Sequence, residues 1–225
     1  MAELASNETL KNLIELLVAF PFRLRHRLRA REKRRVRIET LKTVRKTLAG
    51  ASKLNAANVK IVFNVGLYLL LLDQDLAFFT DDLVCAVGDR RRAFVAKHEA
   101  MMLYEAAEDL PQLLGREFRD AVKTLGARPE QLERLNKVSS DLNRFWQKQR
   151  DFLGAIRNAL AAHRDHDALR YAESLEALKP LEVMARGAEL SPLLDRLIRV
   201  LTEIAHLTVG PAAILRDVLV SKKKP

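Results

Sequence analysis

The chain has 225 residues, 48% of them hydrophobic and 30% charged, with a formal net charge of +10. That balance excludes a disordered chain and a polytopic membrane protein, and the length suffices for one sizeable core, or a core with an arm. The single cysteine, Cys85, excludes an intramolecular disulfide; its apolar setting fits a buried free thiol in a reducing cytoplasm.

The positive charge is local. Between Arg23 and Lys46 stand 12 Lys/Arg against 2 Asp/Glu, which leaves 27 residues of each sign elsewhere. One arm is basic and the body is neutral. The acidic start, Met1 to Glu8, is unlike a signal peptide, so a cytoplasmic location is expected. The longest apolar run, Val59 to Leu72, is broken by Lys60 and Asn64 and is too short to span a bilayer.

No stretch alternates with period two, and Gly and Pro fall between segments of 3.6-residue apolar period. The expected fold is all-α: a helical bundle with a long central helix and an N-terminal basic helical arm. The arm takes residues 1–50 and the bundle residues 51–225.

Ser6 or Asn7 caps the first expected helix, whose apolar stripe is Leu10, Leu13, Ile14, Leu17, Phe20, Leu24 and Leu28. Pro21 is expected to kink or stop it. A short helix with Ile38, Leu41, Val44 and Leu48 comes next and ends at Gly50. Asn55 caps another, which runs to about Leu72 and is apolar nearly all round. Thr80-Asp81-Asp82 reads as the start of a short helix closing at Gly88. Asp89 to about Ala107 is helical, Pro111 and Gly115 break the stretch after it, and Arg116 to Leu125 closes at Gly126.

Pro129 suits the first position of a new helix. Its stripe runs from Leu132 through Leu142, Phe145, Trp146 and Leu153 to Leu160 and needs roughly 30 residues, about 45 Å. Asp167 caps a segment through Leu178. Pro180 and Gly187 punctuate, Ser191-Pro192 opens another helix, and a short helix after Gly210-Pro211 leads to the lysine tail.

The segment Ile156 to Asp167 gathers an amide, two arginines, two histidines and two aspartates at the end of the long helix. Arg157 can pair bidentately with a phosphate, and His163 can take or give a proton near neutrality. Asn158 can orient either. Six positions on an ideal helix set Arg157 and His163 ~120° apart. Convergence on one phosphate therefore requires a bend at Ala161-Ala162 or a second chain.

Arg157-Asn158 followed by His163, with Ala162-His163-Arg164-Asp165 around it, resembles the HEPN superfamily motif of prokaryotic toxin and abortive-infection proteins. The resemblance covers Ala57 to Leu207 as architecture. It implies a homodimeric helical bundle with two motifs facing a basic cleft, and metal-independent endoribonuclease activity. In that chemistry a ribose 2′-OH attacks the adjacent phosphate. His163 would be the general acid/base, Arg157 would neutralise charge developing on phosphorus, and Asn158 would position the phosphate or His163. No cofactor is implied; a cognate antitoxin partner is. Other superfamily members resemble this without cutting RNA, so a non-catalytic binding protein is the alternative.

His163 and His166 are spaced for one helical face, but Asp165 and Asp167 read as caps and no clear third ligand joins the pair, where a zinc site needs three or four; no metal is expected, and His166 is an accessory. His98, Met102, Glu105 and Asp109 form a polar column on one helical face. Packed against the long helix, Glu105 and Asp109 would support Arg157 or Arg164 by ion pairing; the commoner alternative is an exposed charged face, and Tyr104 is either core or site.

The basic arm admits three partners: the RNA backbone, an anionic membrane surface, or another protein chain. RNA is preferred, with Arg23, Arg25, Arg27, Arg29, Arg31, Arg34, Arg35 and Arg164 as the gripping residues. Aromatics are scarce in the arm, so such a grip would be electrostatic.

Overall fold

The computed structural model describes residues 2–160 and 168–208, residues 2–19 by backbone course alone. Among the described residues the fold is all-α, with helices α1 (Ala2–Lys53), α2 (Ala57–Cys85), α3 (Asp89–Leu113), α4 (Arg116–Thr124), α5 (Pro129–Leu160), α6 (Ala168–Ala177) and α7 (Pro180–Thr208). Helix α5 begins at Pro129 and runs 32 residues, as the apolar stripe requires. It packs on α3 and α7, while α2 meets α1, α3, α4 and α7.

Several expected breaks are absent. α1 passes through Pro21 and Gly50 as one helix of 52 residues. Pro21 forfeits one backbone hydrogen bond, a local loss that a helix docked along α2 tolerates. α3 likewise includes Pro111, and α7 runs through Gly187, Ser191 and Pro192. Thr80 does not start a helix, because its hydroxyl donates to the Leu76 carbonyl at 2.9 Å and so satisfies itself inside α2. α2 is therefore longer than its apolar core run. Among the described residues it is the one helix long and apolar enough to cross a membrane, with a mean hydropathy of 1.5 over its most apolar window; here it contacts four other helices, which bury 39% of that window.

Asn55 has a role other than the expected N-cap. Its φ of 53° places it in the left-handed region, and Ala56 N–H donates back to the Ala51 carbonyl at 3.0 Å. It is the turn residue that closes α1, a position that asparagine fills at modest steric cost. Gly126 (φ 88°) closes α4 in the same way, with Ala127 N–H donating to Val122 at 3.2 Å. Gly115 answers a different need: a Cβ there would come within 2.8 Å of the Gln112 carbonyl oxygen.

The core is continuous. Leu69, Leu103, Leu110, Leu153, Leu194 and Ile204 are each fully enclosed, and such side chains supply about 1.5–3 kcal/mol apiece on leaving water. Polar ties fix the register. Gln131 accepts the Arg128 N–H at 2.9 Å at the start of α5, half of a capping box. Arg119 on α4 donates to the Leu114 carbonyl and to Asn136 on α5. Arg134 on α5 forms a forked pair with Glu203 on α7.

α1 is fastened along α2 by three arginines from its basic stretch. Arg37 forks onto Asp73 at 2.5 and 3.1 Å. Arg34 lies over the Phe78 ring at 4.7 Å. Arg23, itself buried, donates to the Val84 and Ala86 carbonyls at the C-terminal end of α2, where partial negative charge accumulates. Arg92 reaches the same Ala86 carbonyl from α3.

One buried group stands out. Glu99 on α3 has no solvent exposure, and neither carboxyl oxygen has a hydrogen-bond partner among the described residues. It faces Gly187 of α7, where a Cβ would stand 2.5 Å from Oε1. The mid-helix glycine is thus the space that the carboxyl occupies. Burial raises the Glu99 pKa from 4.5 to about 7.

Candidate functional site

The described part of the motif lies on the last turn of α5. Arg157 and Asn158 are both exposed there. The Arg157 guanidinium sits over the ring of Tyr104 on α3, 4.8 Å from its centroid. Tyr104 in turn meets Trp146 edge-on, with centroids 5.1 Å apart. Trp146, Gly154 and Arg157 share one face of α5 by their spacing of eight and three residues. Gly154 lets the tyrosine in, since its absent Cβ would stand 3.4 Å from Tyr104 Cε2.

Stacking on an aromatic face holds a guanidinium in a plane while its N–H groups stay available. Among the described residues Arg157 forms no ion pair, so a phosphate would not have to displace a carboxylate. Tyr104, which the sequence leaves open between core and site, is the platform for Arg157.

A second cation and aromatic lie one helical repeat away. Lys97, seven residues before Tyr104 and hence about 10 Å along α3, donates to the Tyr171 hydroxyl of α6 at 3.1 Å. Its ammonium also stands 5.2 Å from the Tyr171 ring centroid. Lys97 and Tyr171 were missed in the sequence; the only signal was that Lys97 shares a helical face with Tyr104.

The expected supporting carboxylates do not join this group. Asp109 accepts a hydrogen bond from the Tyr68 hydroxyl of α2 at 3.4 Å. Burial, and then the charges of Asp109 and Glu105, push the Tyr68 pKa to about 12. Glu105 and Asp109 therefore look toward α2 while Tyr104 looks toward α5, because successive residues turn by about 100°. Asp109 also borders an open groove of about 880 Å³ with Lys60, Asn64, Gln112 and Arg116. His98 uses its Nδ1 on the Phe94 carbonyl at 2.8 Å.

His163, Arg164 and His166 lie outside the described residues, as do Asp165, Asp167 and the expected bend at Ala161-Ala162. Of the arm arginines, Arg23 is buried, Arg34 is engaged on Phe78, and Arg25, Arg31 and Arg35 are exposed. The side chains of Arg27 and Arg29 are outside the described set. The basic stretch thus divides: Arg23, Arg34 and Arg37 bind the fold, and the exposed arginines face solvent.

Comparison of the chain with protein-family models, with curated proteins and with solved structures gives no match in any of the three.

Proposed function

We propose that the chain is an RNA-directed helical protein of HEPN-like type, and that it cleaves RNA without a metal through Arg157, Asn158 and His163. The observation that supports this reading is the setting of Arg157. Its guanidinium is exposed, stacked on Tyr104 at 4.8 Å, and without a carboxylate partner among the described residues. Such a fork matches two phosphate oxygens.

In the proposed reaction the 2′-oxygen attacks phosphorus as His163 removes its proton. The P–O5′ bond breaks, and the leaving oxygen regains a proton from the protonated imidazole. The products are a cyclic phosphate and a 5′-OH. Arg157 offsets charge on the equatorial oxygens, where a well-placed donor contributes about 3–4 kcal/mol. Asn158, the next residue on the same turn, positions the phosphate. The homodimer and a cognate antitoxin belong to the same proposal.

The test is purified full chain with total RNA in EDTA, scored for cyclic-phosphate ends. Wild type is expected to cut. Arg157→Ala should reduce cutting ~100-fold or more, and His163→Ala should abolish it. Tyr104→Ala, which removes the platform together with its packing on Trp146, should give an intermediate loss in protein that circular dichroism shows to be folded. Cutting that is absent in wild type, or equal in His163→Ala, sinks the enzyme reading.

A further inference from the structure

The outward face of α1 carries two kinds of side chain in one line. Phe20, Leu24 and Leu28 succeed each other at four-residue spacing and are 59%, 46% and 60% exposed. Arg31, Arg35 and Lys46 continue the same helical face and are exposed as well. From Phe20 to Lys46 the line is about 39 Å long at 1.5 Å per residue. It lies away from the face that Arg23, Arg37 and Leu41 turn toward the body.

Neither half is explained by contacts among the described residues. Side chains this apolar leave about half of their surface in water, and clustered along one stretch of a helix they mark a contact surface. Arg31, Arg35 and Lys46 have no carboxylate partner among the described residues. They belong to the stretch with 12 basic against 2 acidic residues. A nucleic-acid backbone would use the arginines but leave the phenylalanine and leucines in water. A second copy packed in parallel would set arginine against arginine.

We propose that this face of α1 docks on an anionic lipid surface, with Phe20, Leu24 and Leu28 at the acyl boundary and Arg31, Arg35 and Lys46 on the headgroup phosphates. An interface of that kind is apolar a few ångströms below a sheet of negative charge, which matches both halves of the line. The helix sits inclined to the membrane, its Phe20 end deeper than its Lys46 end, and α2 stays within the protein. This docking does not depend on RNA cleavage, so His163→Ala binds vesicles as wild type does.

The test is co-sedimentation of the full chain with vesicles of phosphatidylcholine alone, or of phosphatidylcholine and phosphatidylglycerol in equal parts. Binding is expected to the anionic vesicles only. The combined substitution F20S/L24S/L28S should weaken it by at least about tenfold with helical circular dichroism unchanged, since those positions are already exposed. Charge reversal at Arg31 and Arg35 should weaken it as well. No binding to anionic vesicles overturns the proposal. So does a triple-serine variant that binds as wild type does, because the arginines alone would then form a general polyanion surface of the sort RNA takes.

Discussion

Replacing Glu99 by glutamine tests the buried carboxyl without changing its shape. In the folded chain burial holds the Glu99 pKa at about 7 against 4.5 in the ordinary state. At about 1.4 kcal/mol per pH decade, that difference corresponds to ~3 kcal/mol. The sign depends on which state gives up its proton first. Above pH 4.5 the unfolded chain ionises Glu99 while the folded chain keeps it neutral, so stability falls as pH rises. Above about 7 both states are ionised, the loss is complete, and the curve levels. Urea unfolding followed by circular dichroism at a series of pH values, for wild type and Glu99→Gln, isolates this contribution. The difference between the two stabilities should change by about 3 kcal/mol from pH 4 to pH 8, with wild type losing ground toward alkaline pH. Parallel curves would show that the carboxyl is not held neutral by the fold.

The glycine opposite Glu99 yields a companion test. Gly187→Ala should destabilise by ~1–3 kcal/mol, because the new methyl meets Oε1 and a packed site resists overfilling. In a Glu99→Ala background the same change should turn mildly stabilising, since alanine favours a helix interior over glycine by about 1 kcal/mol; chemical unfolding of the four chains reads the reversal. Arg37→Ala strands Asp73, which is only 9% exposed, and should cost ~1.5–3 kcal/mol. Arg37→Lys should recover only part of that in the same assay, because an ammonium cannot reproduce the fork.

The helices of the body were legible where periodicity was long and caps were simple. Pro129, the α5 stripe and Gly126 gave their true positions because each rests on a local backbone rule that tertiary contacts do not alter. The errors came from residues with two uses. Thr80 can cap a helix or bond back within one, and inside an apolar helix it bonds back. Asn55 can start a helix or close one by adopting positive φ. Gly187 looks like punctuation until the carboxyl of Glu99, 88 positions earlier, is placed against it. Pro21, Pro111 and Pro192 lie inside helices whose packing outweighs one lost hydrogen bond. Motif spacing could name Arg157 but not its platform: the pairing with Tyr104 depends on how α3 and α5 cross. Lys97 and Tyr171 were hidden for the same reason, as α6 carries no signal of its neighbour.

The split among the α1 arginines sets different tolerances on residues of one type. At Arg23 and Arg37 each guanidinium makes at least two directed bonds, to the Val84 and Ala86 carbonyls or to Asp73, and lysine offers one charge point in place of a fork. At Arg31 and Arg35 only positive charge is presented, which lysine supplies as well. Drift among relatives should therefore exchange Arg and Lys freely along the outer line and hold arginine along the inner one. Cutting away α1 would also expose Asp73 and the open end of α2 together, so single outer-face substitutions, and not truncations, separate what this helix binds from what it holds up.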